Sequence, residues 1–300
     1  MKIFSGQSNK PLAESIAKEL GISVSPIELH VFPDGERRIM LEENVTGEDC
    51  IVVNPTSPPV DSNLMELCFI LDAMKRSGAE SVTAVVPYLG YQRQDHIFRI
   101  GEARSLEVVI NMIEVSGATR FIGVDFHSIK IPELFKVDVT QLSALPLFAA
   151  KIKEIEPSLE DSCIVTPDMG GIRRIDILRD ELGGVETVSV EKDRDVVSGD
   201  IKASGVHGNV KKTCFIVDDM ISSGGTIVQC IDELRKAGGE RFFVFATHAV
   251  FSKEAPQKLQ ESDAEKVFIT DSIEVPVGKQ FEKLEVLSLA PEIATSLKNR

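Results

Sequence analysis

The chain has 300 residues, 43% of them apolar and 27% charged, the balance of a globular protein with a full core. A formal net charge of −14 argues against a protein built to grip the backbone of nucleic acid. Any site for a small phosphorylated ligand must then be assembled locally, from a few Arg and Lys and from backbone N–H groups. No apolar run reaches the length of a membrane span. The five cysteines form no C-x-x-C pair and sit among apolar neighbours, which points to reduced thiols in a cytoplasmic protein with no membrane partner.

MKIFSG reads as a short strand, followed by a helix opening at Pro11. VFPDGERRI carries a Pro-Asp-Gly turn. As structure alone it is a hairpin turn with a charged exit. As a site, Phe32 offers a flat face to a nucleobase, and Asp34 and Glu36 accept from an exocyclic amine. Strands are expected at Cys50–Asn54 and Ser81–Pro87, flanking a helix at Asn63–Arg76. VVPYLGYQRQDHIFRIGEARS then leaves a buried strand and turns abruptly polar, with Arg93, Arg99 and Arg104. Arginines clustered in so acidic a chain suit a polyphosphate. After a helix at Ser105–Val115, the strand Phe121–Phe126 ends at His127, at the strand end where open α/β sheets bind ligands.

A helix is expected over Leu142–Ile155 and a strand over Cys163–Pro167. Asp168 follows that strand as His127 follows its own, before Gly170, Gly171, Arg173 and Arg174. A carboxylate and an imidazole in such places suit a Mg²⁺ that also takes phosphate oxygens and water. Beyond the strand Thr187–Val190 come Lys192 and Arg194, two cations spaced to close over a reacting phosphate. Two further strands, Thr213–Asp218 and Phe242–His248, flank a helix at Thr226–Ala237, and Pro291–Arg300 forms a terminal helix. Continuous apolar strands alternating with helices indicate mainly parallel sheets covered on both faces. A shift of 121 positions lays Gly117, Arg120, Phe121 and His127 on Gly238, Arg241, Phe242 and His248, which suggests duplicated halves meeting near Leu145–Pro146.

VDDMISSGGT, Val217 to Thr226, is the most informative string. A strand ends in two acids, Asp218 and Asp219; Ser222, Ser223, Gly224 and Gly225 follow, and Thr226 opens a helix. Glycine lets the backbone approach an anion, and the helix N-terminus offers N–H donors and partial positive charge to a phosphate. Carboxylates accept well from vicinal sugar hydroxyls. The string lacks the Gly-Lys-Ser/Thr of a Walker A loop. It resembles the phosphoribosyl-diphosphate motif of type I phosphoribosyltransferases and their relatives.

Taken in order, FPDGE, YQRQD, DFHS, PDMGG with EKDR, and VDDMISSGGT resemble the ribose-phosphate diphosphokinase (phosphoribosyl pyrophosphate synthetase) family over essentially the whole chain. That resemblance implies an α/β fold of two tandem type I phosphoribosyltransferase-like domains, 1–145 and 146–285, each a mainly parallel sheet flanked by helices. A C-terminal helix, 286–300, is expected to return to the first domain. The implied reaction moves the diphosphate of ATP to the 1-hydroxyl of ribose 5-phosphate with Mg²⁺ as cofactor, in a homo-oligomer built as a dimer or a hexamer of dimers. By position, Phe32, Asp34, Gly35, Glu36, Arg93 and Gln94 would bind ATP, and His127 and Asp168 the metal. Lys192 and Arg194 would be catalytic. Arg194, Asp218, Asp219, Ser222, Ser223, Gly224, Gly225 and Thr226 would bind ribose 5-phosphate. Two other readings are a phosphoribosyltransferase that consumes the product, against which FPDGE and YQRQD speak, and a catalytically silent regulatory relative. Many bacterial members carry Asp-Thr where this chain has Ser222-Ser223, and Met169 cannot ligate Mg²⁺, which leaves that role to Asp168.

Overall fold

The structure, a computed structural model, describes residues 1–97, 99–194 and 201–299, except for the side chains at 192–194 and 201–204. The chain divides into two compact units. Unit 1 comprises Met1–Leu142, Ser272–Glu274 and Ser288–Arg300; unit 2 comprises Ser143–Asp271 and Val275–Leu287.

Unit 1 runs β1 (Lys2–Ser5), α1 (Lys10–Leu20), β2 (Val24–Ser25), β3 (Ile27–Val31), β4 (Arg37–Leu41), β5 (Asp49–Val53), α2 (Val60–Arg76), β6 (Ser81–Val85), α3 (Ser105–Ser116), β7 (Arg120–Val124) and β8 (Asp138–Leu142). Its main sheet has the order β2-β1-β5-β6-β7-β8, all parallel, and β3-β4 form a separate antiparallel hairpin. Helix α1 shows why the local sequence folds as it does. Asn9 Oδ1 accepts from the Leu12 N–H at 3.2 Å, Pro11 sits in the first turn, and Gly21 closes the helix at φ +71°, where a Cβ would strain the backbone.

Unit 2 runs α4 (Leu145–Ile155), β9 (Ser162–Thr166), α5 (Ile172–Glu181), β10 (Glu186–Arg194), β11 (Ile201–His207), β12 (Thr213–Ile221), α6 (Gly225–Lys236), β13 (Arg241–Ala249), α7 (Ala255–Glu261), β14 (Ala264–Thr270) and β15 (Leu284–Leu287). The order is β11-β10-β9-β12-β13-β14-β15, parallel except for β11. The last helix, α8 (Ala290–Lys298), belongs to unit 1, where Lys298 Nζ donates to the Glu19 carbonyl of α1 at 2.8 Å.

Each sheet has its own apolar core. In unit 1 Phe4, Val52, Ala84 and Phe121 meet α2 and α3 through Leu67, Leu71, Ile110 and Ile113. In unit 2 Val165, Cys214, Ile216 and Val244 meet α6 through Ile227, Ile231 and Leu234, each such side chain contributing roughly 1.5–3 kcal/mol on burial. Strand order corrects the expected echo. Both sheets share the pattern of second strand, first strand, then successive strands outward, so β5 and α2 correspond to β12 and α6. The shift of 121 positions instead aligned α3-β7 with α6-β13, which occupy different places in that order. It matched the patterning common to any helix–strand unit. Helix α4 also starts later than expected, because Leu142 still pairs with Val124 in the β7-β8 ladder.

Candidate active site

In unit 2 the candidate residues cluster at the carboxyl ends of β9 and β12, the expected edge for a ligand in an open parallel sheet. Strand β12 pairs with β9 only as far as Ile216–Val165, yet continues beside β13 to Ile221. Val217, Asp218 and Asp219 therefore run past the end of β9, beside the turn that follows it. That turn is PDMGG. Asp168 Oδ1 accepts from the Gly171 N–H at 3.2 Å, and Thr166 Oγ1 donates to the Asp168 carbonyl at 2.8 Å. A Cβ on Gly171 would lie 2.1 Å from Thr166 Oγ1. Gly171→Ala is expected to displace the Asp168 turn at a cost of about 1–3 kcal/mol, read as a lower melting temperature together with lost activity.

The two acids are buried, Asp218 at 9% and Asp219 at 5% exposure. Arg174, on the first turn of α5, places its guanidinium 3.6 Å from Asp218 Oδ1 and 3.8 Å from Asp219 Oδ1. The Asp218 carboxyl is nevertheless pushed well above its ordinary range, first by burial, then by the charge of Asp219, against the opposing pull of Arg174. Asp168 adds to the upward push, which brings a third carboxylate within electrostatic reach. Such a site holds negative charge that hydroxyl donors or a cation would relieve.

The loop after β12 has the geometry of an anion cradle. Gly224 adopts φ +76°, and α6 begins at Gly225 with no side chain capping it, so its first-turn N–H groups point out of the helix end. Ser222 Oγ lies 3.1 Å from Ser252 Oγ, and the Ser252 N–H donates to the Ser222 carbonyl at 3.0 Å. The loop after β13 thus buttresses the cradle, with Phe251 and Lys253 both at positive φ. Thr226 lies in the first helical turn, not at its opening.

In unit 1, Phe32, Asp34, Gly35 and Glu36 form the exposed tip of the β3-β4 hairpin. The Phe32 N–H donates to the Glu36 carbonyl at 2.8 Å, Gly35 sits at φ +91°, and Asp34 Oδ1 accepts from the Glu36 N–H at 3.1 Å. Arg37 ties the hairpin to α2 through the buried Glu66, Nη1 to Oε2 at 2.7 Å. Arg93 and Gln94 are exposed in the loop after β6, and His127 is exposed in the loop after β7. All three follow carboxyl ends of the parallel sheet.

The catalytic expectation falls differently. Lys192 and Arg194 lie in β10, and their side chains are outside the described residues. Among the described residues no group of three or more His, Cys, Asp or Glu forms a ready-made metal cage. Asp168 supplies a hard oxygen ligand at the end of β9, which fits a Mg²⁺ held chiefly by phosphate and water. Sequence reasoning passed over Arg174 and Ser252. Arg174 was visible in GGIRR, but nothing in the string says that the first turn of α5 aims it at a strand three elements later.

Two α/β units, each a mainly parallel sheet flanked by helices, define a phosphoribosyltransferase-type architecture, and comparison with known proteins agrees. Residues 1–117 match the N-terminal domain of ribose phosphate pyrophosphokinase, and residues 138–282 match the phosphoribosyl transferase domain. The chain is 37% identical to a ribose-phosphate pyrophosphokinase of Listeria ivanovii over 99% of its own length and 93% of that protein's. It is 36% identical to one from Thermotoga maritima, covering 99% and 94%. The phosphoribosylpyrophosphate synthetase of Mycobacterium smegmatis superposes with a TM-score of 0.92 at 34% identity, covering 99% of this chain and 97% of that one. The chain belongs to the ribose-phosphate pyrophosphokinase family. No helix among the described residues is long and apolar enough to cross a membrane.

Proposed function

We propose that this chain transfers the β,γ-diphosphate of ATP, as one unit, to the 1-hydroxyl of ribose 5-phosphate. The hydroxyl oxygen attacks the β-phosphorus, the bond from that phosphorus to the α,β-bridging oxygen breaks, and AMP leaves with that oxygen. The hydroxyl proton passes to solvent. The observation that carries this reading is the buried Asp218–Asp219 pair beside the uncapped N-terminus of α6, in a chain with whole-length kinship to the pyrophosphokinases.

In this reading Asp218 and Asp219 accept from the ribose hydroxyls. Ser222, Ser223, Gly224, Gly225 and Thr226 hold the 5-phosphate. Phe32, Asp34, Gly35, Glu36, Arg93 and Gln94 bind ATP. Lys192 and Arg194 stabilise charge on the transferred oxygens, Arg194 also meeting the sugar phosphate. Mg²⁺, taken through Asp168 and His127, would neutralise the phosphate chain. Cytoplasmic location and a homo-oligomer, dimeric or hexameric, belong to the same proposal; mass photometry reads the latter. Purified protein given ATP, ribose 5-phosphate and Mg²⁺ is expected to release AMP. ADP as product, or activity only with 5-phosphoribosyl 1-diphosphate and a nucleobase, would refute the reading.

A further inference from the structure

One side chain joins two of the candidate loops in unit 1. Gln92 lies between Tyr91 and Arg93, and it is buried to 2% exposure although its neighbours Arg93 and Gln94 are exposed. Its Oε1 accepts from the backbone N–H of His127 at 2.9 Å, across 35 residues of sequence. The segment carrying Gln92 is fixed from several sides. The Gly90 N–H donates to Thr56 Oγ1 at 2.6 Å, and a Cβ on Gly90 would lie 2.6 Å from Val60 Cγ1. Tyr91 holds a left-handed φ of +64°, and its hydroxyl donates to Asp61. The Gln94 N–H closes a turn onto the Tyr91 carbonyl at 2.8 Å.

On the other side, His127 comes after Asp125, another non-glycine residue at positive φ, +36°, and the buried Phe126. Both loops thus carry backbone strain next to their exposed functional groups, and strain of this kind persists only where surrounding contacts over-determine it. The Gln92–His127 hydrogen bond is such a contact, and it joins the two loops directly. Gln92 Nε2 is itself buried with no hydrogen-bond partner among the described residues. An unpartnered buried donor costs stability, so an apolar residue of the same shape would suit folding at least as well.

We propose that Gln92 is a positioning residue, holding the His127 backbone in register with Arg93 and Gln94 so that the metal and nucleotide groups of this unit keep one geometry. This rests on the proposed role of His127 as a metal ligand. It predicts that position 92 changes function without changing fold.

The test compares Gln92→Met, which keeps bulk and loses the acceptor, with Gln92→Glu, which keeps an acceptor oxygen at the same reach. Hydrogen exchange of the full-length, ligand-free protein reads the peptide containing His127. Exchange at that amide is expected to rise about tenfold in Gln92→Met, the loss of one modest hydrogen bond, with the melting temperature held. Gln92→Glu is expected to restore protection. In turnover, Gln92→Met is expected to raise the Mg²⁺ concentration for half-maximal rate and the KM for ATP, leaving the KM for ribose 5-phosphate unchanged. Wild-type exchange at His127 in Gln92→Met would overturn the inference. A His127→Ala control separates the two claims: unchanged Mg²⁺ dependence there defeats the metal reading, whatever position 92 does to exchange.

Discussion

Lys192→Ala is expected to lower kcat about 10²- to 10³-fold, the loss of one transition-state donor or roughly 2.7–4 kcal/mol, while ribose 5-phosphate still binds. The physical case starts from charge. Transfer of a diphosphate spreads negative charge over oxygens that a strongly acidic protein would repel. Cations placed at the reacting group must offset that repulsion. In β10 the pairing with β11 shifts register between Glu191 and Lys192, so that Lys192 comes opposite Ala203 and Arg194 opposite Ile201. Such an irregularity bends the strand and increases its local twist. An interaction made only in the transition state lowers kcat and kcat/KM together when removed. Calorimetric titration of ribose 5-phosphate beside steady-state rates separates this from a binding defect, and turnover near wild type would remove Lys192 from the mechanism.

Asp218→Asn is expected to act in two opposite directions. Binding of ribose 5-phosphate should weaken about 10- to 100-fold, since the sugar hydroxyls would draw out the carboxylate form, which asparagine cannot offer, and a hydrogen bond to a charged acceptor contributes about 1.5–3 kcal/mol. The ligand-free protein should become more stable, and increasingly so at higher pH. The sign comes from the raised carboxyl of Asp218. The folded state holds a proton that the unfolded chain, with an ordinary value of 3.8, releases. Stability from this group is therefore full below that unfolded value and is lost as pH rises through the folded one. Asparagine removes the loss, so melting curves of variant and wild type should diverge as pH rises above that unfolded value. Parallel curves would show that burial does not hold the proton there.

The candidate site was legible in the sequence where one short string holds a whole local structure. VDDMISSGGT contains strand, acids, positive-φ glycine and helix start within ten residues, so its elements could be read without knowing what packs around them. The FPDGE hairpin was legible for the same reason, since Gly35 and the Asp34 side chain close the turn locally. The residues that escaped notice depend on distant partners. Arg174 matters because α5 follows β9 while the acids follow β12. Gln92 matters because of a carbonyl oxygen facing a backbone N–H in another loop. The edge strands β11 and β15 carry too few consecutive apolar residues to announce themselves. The doubled architecture was expected, but strand order alone identified β5-α2 as the counterpart of β12-α6.

Whether the diphosphate moves as a unit is tested most directly by position-specific label. ATP labelled separately at the β- and at the γ-phosphate is given to the enzyme with ribose 5-phosphate and Mg²⁺. Both labels are expected to appear together in 5-phosphoribosyl 1-diphosphate, in equal amount to each other and to the AMP released. Transfer of the γ-label alone, with ADP carrying the β-label, would contradict the account.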